Sequence, residues 1–241
     1  MGHLTAIGAD AGKLYVHADA AFALATPEAP RPARAAAAAT DEAAPTARVA
    51  ISVRSWSHFK AGSGGDAGER YRRAVADCAR TLAREGVEVT FLSTCQGVPE
   101  YWTDDSAYAA QLVDDLLPGE RNVHVDAHFR TPEQLAEELR RYDVAIATRM
   151  HFAILSLCVA TPVVAIAYEF KSRELLRAMG REAWAFDIEE VSAEGLLRAT
   201  REALAGGDAL RDAIRAQVIA YRDDAIGPAR RIRDALARSA R

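Results

Sequence analysis

The sequence predicts an α/β domain built on an open, doubly wound parallel sheet. Three observations lead there. Short apolar runs alternate with amphipathic stretches from residue 48 onward, which implies parallel strands joined by helical crossovers. Two of these runs, DVAIAT at 143–148 and VVAIA at 163–167, are almost unbroken, as suits strands covered on both faces. The stretches between them carry helix punctuation, with Gly86 and Pro118-Gly119 as stops and Thr131-Pro132 as a start.

Taken in order, 48–54 (RVAISVR) is a strand, and 69–85 is an amphipathic helix with Ala74, Cys78 and Leu82 on one face. A strand at 87–92 (VEVTFL) leads to a helix at 104–117 that opens on two acids. Then follow a strand at 122–126 and a helix at 132–141, with Thr131 as N-cap and Pro132 at the first helical position. The fourth strand, 143–148, leads into a helix at 151–160 that is apolar almost all round and so deeply buried. Thr161-Pro162 ends it before the fifth strand at 163–167. A helix at 172–179, a sixth strand at 185–188 and helices at 193–205 and 208–239 close the chain.

Ahead of this domain, 13–19 looks like one strand, which cannot bury its own faces. Residues 1–24 are therefore expected to dock on something else. The stretch 25–47 is made mostly of Ala, Pro, Thr and Glu, and its scattered prolines forbid a continuous helix. It is expected to be a linker or a disordered insertion. The chain then divides into 1–24, 25–47 and a domain at 48–241.

Half of the 241 residues are hydrophobic, enough for a sizeable core, and the formal net charge is −4. That balance gives no reason to expect nucleic acid or an anionic membrane as the main partner. Cys78, Cys95 and Cys158 lie far apart without metal-ligand spacing, as in a reducing compartment. The start lacks the basic and apolar run of a secretory signal, and no stretch has the length of a membrane span. A cytoplasmic location is expected.

Open parallel sheets bind ligands outside the carboxyl ends of their strands. That rule collects Arg54, Gln96, Asp126 with His128, Arg149 with His151, and Glu169 with Lys171 along one rim. If the backbone stays extended at 149–151, Arg149 and His151 share a face and Met150 packs inward. A guanidinium, an imidazole and a helix N-terminus together suit a phosphate or carboxylate. The bland alternatives are a core histidine capping the helix, Arg149 in a surface ion pair, and Lys171 paired with Glu169 or Glu174.

Other candidates are weaker. Asp104 and Asp105 read as ordinary capping at a helix start. His124, Asp126 and His128 alternate along a strand and have metal-ligand chemistry, but a solvent-facing polar strand explains them better. Ser63-Gly64-Gly65 has neither a Walker lysine nor a G-x-G-x-x-G frame. Cys158 reads as inert packing.

The run from Asp143 to Lys171 holds a strand, Arg149-Met150-His151, an apolar helix, Pro162, a strand and Tyr168 three residues before Lys171. It resembles the C-terminal signature of polysaccharide pyruvyl transferases. Ile51 to Arg54 (ISVR) is similar to the first strand of that family's C-terminal domain. Asp19-Ala20-Ala21-Phe22 is similar to an Asp-x-x-Phe near the end of its N-terminal domain.

The resemblance implies a Rossmann-like fold, the C-terminal half of a GT-B-type two-domain transferase, with 1–24 as a remnant of the N-terminal domain. It implies transfer of the pyruvyl group of phosphoenolpyruvate to a sugar of a cell-surface polysaccharide or its precursor, as a ketal. His151 becomes the general acid or base. Arg149 and Lys171 hold the donor, with Arg54, Gln96 and Glu169 as further substrate-binding residues. No cofactor or metal is required. The acceptor is a sugar or lipid-linked glycan, which leaves room for peripheral work at the inner membrane face, and the partners left open are a separate N-terminal domain and a homo-oligomer. Two other readings stay open: a nucleotide-sugar glycosyltransferase or epimerase on the same architecture, and a non-catalytic orphan half-domain.

Overall fold

A computed structural model describes residues 5–32, 46–56, 66–97 and 104–239. Its centre is a six-stranded, all-parallel sheet in the order β3-β2-β1-β4-β5-β6. The strands are β1 (Ala47–Ser52), β2 (Val87–Phe91), β3 (Val123–Val125), β4 (Val144–Ala147), β5 (Val163–Ala167) and β6 (Ala185–Asp187). The helices are α1 (Ala67–Arg84), α2 (Asp105–Leu116), α3 (Pro132–Leu139), α4 (Met150–Cys158), α5 (Phe170–Ala178) and α6 (Ala193–Ser239). The predicted fold class is therefore observed.

Every residue of β4 and β5 is buried, which the unbroken apolar runs required. Burying one such Val or Ile side chain is worth about 1.5–3 kcal/mol, so these central strands anchor the core. α4 is buried from Phe152 to Cys158 and packs on α3, α5 and α6. Burial pushes the Cys158 thiol up to about 12, in line with its reading as packing. Gly207 breaks α6 with φ 49 and ψ −140, so the two closing helices meet there as expected.

Register aligns the strand ends. Ser52 pairs with Ala147, Ile51 with Phe91, Phe91 with Val125, Ala147 with Ala165 and Ala167 with Asp187. The loops after β1 to β5 consequently open on one rim.

Several expectations need correction. The 13–19 stretch is not a strand. A 3-10 turn, Ala11–Lys13, takes in its first residue and another, Ala20–Leu24, follows, opened by the Asp19 side chain accepting from the Ala21 N–H. The stretch lies along α6 instead of at a sheet edge. The Ala18 N–H donates to Asp224 at 2.6 Å, and Phe22 stacks on Tyr221. The supposed linker is ordered at its start. The Thr26 N–H donates to the Cys158 carbonyl at 3.0 Å, and Arg31 pairs with Asp143 at 2.7 Å. Ala47, placed in the linker, belongs to β1. The rest of that linker, 33–45, and Ser63-Gly64-Gly65 lie outside the described residues. α4 and α5 start earlier than expected, at Met150 and Phe170, because the chain turns helical at once after Arg149 and Glu169.

Candidate functional site

A cavity of about 720 Å³ opens on the rim between the ends of β2, β3, β4 and β5. Arg149, His151, Glu169 and Lys171 all line it, so four of the six residues given a catalytic or substrate-binding role from the sequence converge. The turn Ala20–Leu24 closes one side with Ala21 and Leu24.

Arg149 is the N-cap residue of α4, held where β4 ends. Ser52, at the end of β1, accepts from the Thr148 N–H at 3.1 Å and the Arg149 N–H at 3.4 Å. The buried Tyr71 hydroxyl hydrogen-bonds Thr148 at 2.9 Å and accepts from the Arg54 N–H at 3.3 Å. The junction is thus fixed from β1 and α1 together. The Arg149 guanidinium makes a two-point bond to Asp105, Nε to Oδ2 at 2.6 Å and Nη2 to Oδ1 at 2.9 Å. Asp105 is 2% exposed. Burial lifts its carboxyl above the ordinary value, against the pull of Arg149. Burial is the largest single influence on Arg149 and opposes its charge, but the hydrogen bond and Coulomb attraction to Asp105, with smaller help from Cys95 and Tyr168, together raise its pKa.

The capping reading of the two acids is half right. Asp104 caps α2, accepting from the Ser106 and Ala107 N–H groups. Asp105 faces away from that role and crosses to β4. The surface ion pair weighed for Arg149 is instead a buried one.

His151 stands in the first turn of α4 and is exposed into the cavity, which excludes a core histidine. Met150 lines the cavity beside it, partly packed on the core, so the alternation assumed for an extended backbone does not apply. Among the described residues no side chain caps α4 or α5, so the first N–H groups of both helices face the rim without a capping oxygen from them. Lys171 sits in the first turn of α5 and lies 3.9 Å from Glu169, a loose pair with both side chains about half exposed.

Arg54 and Gln96 are not among the residues lining the cavity. The Arg54 guanidinium stacks over Tyr168 at 4.2 Å and Trp56 at 4.8 Å, behind the Tyr168 that does line it. Gln96 donates to the His128 carbonyl at 3.0 Å and ties two rim loops together.

Arg130, Cys95 and Thr94 line the cavity and were missed. Arg130 binds Asp126 at two points, 2.6 and 3.0 Å. That bond, helped by His128, holds the Asp126 carboxyl well below the usual carboxylate range. The rim rule reached Asp126 and His128 and stopped two residues short of Arg130. Among the described residues no cluster of three or more His, Cys, Asp or Glu is placed to hold a metal, and no helix is long and apolar enough to cross a membrane. His124 is exposed on β3 and does not join Asp126 and His128.

The family described as polysaccharide pyruvyl transferase matches residues 4–169. The match includes Arg149 and His151 and stops two residues before Lys171. The amylovoran biosynthesis protein AmsJ of Erwinia amylovora is 32% identical over 143 residues, 59% of this chain and 34% of that protein. The chain thus spans about a third of that relative's length. An O-GlcNAc transferase variant of Thermobaculum terrenum superposes with a TM-score of 0.51 at 16% identity, over 80% of this chain and 35% of that one, a likeness of fold alone.

Proposed function

The chain belongs to the polysaccharide pyruvyl transferase family, and we propose on that premise that its cavity binds phosphoenolpyruvate and passes the pyruvyl group to a glycan hydroxyl pair. One observation carries this reading. Arg149, His151 and Lys171 share a cavity with two helix N-termini that no side chain caps. The donor carries a phosphate and a carboxylate, and such a rim suits both.

The chemistry asks for one group that trades protons near neutrality, which fits an exposed imidazole. His151 in its charged form gives a proton to the donor's methylene carbon, leaving an oxocarbenium-like centre at the adjacent carbon. A sugar hydroxyl bonds to that centre and returns its proton to His151. His151 then protonates the bridging oxygen as the carbon–oxygen bond to phosphate breaks. A second hydroxyl closes the ring and its proton restores the imidazolium. One donor and two hydroxyls become a cyclic ketal and inorganic phosphate. Arg149 and Lys171 hold the donor's anionic groups while this happens. The acceptor is a sugar of an exopolysaccharide or its precursor, free or lipid-linked, and on this reading the transfer is cytoplasmic.

Phosphate release from phosphoenolpyruvate in the presence of acceptor glycan tests the reading. It is expected to require the acceptor and to fall by about a hundredfold or more in His151→Ala. Normal turnover by that variant removes the assigned acid/base. Turnover of a nucleotide sugar with no response to phosphoenolpyruvate replaces the reading with glycosyl transfer.

A further inference from the structure

We propose that Asp105 is a positioning residue for donor binding, a buried strut that aims the Arg149 guanidinium into the cavity and stays bonded to it when the ligand arrives. The proposal rests on the reading of the cavity as an anion site.

A guanidinium carries five N–H groups in a rigid fork. Asp105 accepts from Nε and from one N–H of Nη2. Among the described residues nothing accepts from the two N–H groups of Nη1 or the second of Nη2, which leaves them for a ligand. A two-point bond fixes the plane of the fork, so those remaining donors have a set direction. Asp105 is itself held, since its N–H donates to the Cys95 carbonyl at 2.9 Å and it starts α2 beside the cap residue Asp104. At 2% exposure its carboxylate has little water to fall back on. A cap was not needed here, and a merely neutral surface would not bury a charge. The strut explains why an acid stands within bonding distance of a cation assigned to an anion.

This arrangement makes an unusual prediction of sign. Removing a negative charge next to an anion site tightens anion binding if Coulomb attraction alone decides. If orientation decides, the same change weakens binding, because a freed side chain must be ordered again by the ligand.

The test is a double-mutant cycle at equilibrium. Dissociation constants for phosphoenolpyruvate and, separately, for inorganic phosphate are measured by calorimetry on wild type, Asp105→Asn, Arg149→Ala and the double variant. Asp105→Asn is expected to weaken phosphoenolpyruvate binding at least tenfold, and the double variant to bind no more weakly than Arg149→Ala. Asp105→Asn binding as tightly as wild type or tighter, or losses that add in the double variant, overturns the strut. If phosphate binds but phosphoenolpyruvate does not, the donor reading fails and the cycle is judged on phosphate. A wild type that binds neither ends both.

A second measurement needs no folded Asp105 variant. The Arg149 Nε–H resonance, assigned by its loss in Arg149→Lys, is expected to be protected from exchange in free protein and to stay so at saturating phosphoenolpyruvate. Loss of that protection on binding means the ligand displaces Asp105 and contradicts the proposal.

Discussion

α3 and α4 begin on the same rim, pack against each other and both border the cavity, yet their first turns are opposites. α3 closes its own N-terminus. The Thr131 side chain accepts from the Gln134 N–H, the Gln134 side chain accepts from the Thr131 N–H, and Pro132 takes the position that needs no donor. α4 has Arg149 at the same position, with no capping oxygen, and sends that side chain to a buried acid from another helix. One helix is finished by its own sequence. The other is left open on a cavity that Arg130, Arg149 and Lys171 also line. On the proposed function, that open turn beside a fixed guanidinium is where the donor's anionic group docks.

The largest effect expected from breaking this contrast is kinetic. His151→Ala should lower turnover by about 10²- to 10⁴-fold while leaving the affinity for phosphoenolpyruvate close to wild type, as steady-state rates and calorimetry would show. A variant that loses affinity instead makes His151 a binding residue. Next in size is Arg149→Ala, which leaves the Asp105 carboxylate buried without its cation. The expected cost is about 3 kcal/mol in urea unfolding, part of it regained by adding Asp105→Asn. Unchanged unfolding would mean that water enters and replaces the pair.

Thr131→Ala sharpens the comparison from the other helix. It should cost about 1 kcal/mol of stability and leave phosphoenolpyruvate affinity unchanged. The smallest effect concerns acid. Arg130 lowers the Asp126 pKa in the folded chain, so the unfolded chain binds more protons as pH falls. The stability from this pair is complete above the ordinary carboxylate pKa and is lost as pH falls through the folded value. The gap between wild type and Asp126→Asn, at most about 1 kcal/mol at neutral pH, should therefore shrink on acidification. A gap that grows would reverse the assigned sign.

The contrast also shows what a sequence can and cannot disclose. Thr131-Pro132 announces α3 because capping chemistry is local. The runs in β4 and β5 announce a covered sheet because every second-face position is apolar too. The strand-end rule then reaches Arg149, His151, Glu169 and Lys171, because rim position follows from topology. It also names Arg54 and Gln96, which do not line the cavity and whose side chains meet Tyr168 and a carbonyl, contacts set by loops. It falls short at Arg130 and Cys95 for the same reason. Asp105 was hidden by its neighbour, since two acids at a helix start look alike until one of them is seen bonded to a residue 44 positions away. The 13–19 stretch looked like a strand because a few alternating residues carry no information about which surface they will meet.

The central claim is that the open first turn of α4 is the donor site, and phosphoenolpyruvate titrated calorimetrically into wild type, Arg149→Ala and Thr131→Ala tests it most directly. Wild type and Thr131→Ala are predicted to bind alike, with Arg149→Ala weaker by tenfold or more. Equal affinity of Arg149→Ala and wild type would contradict the account.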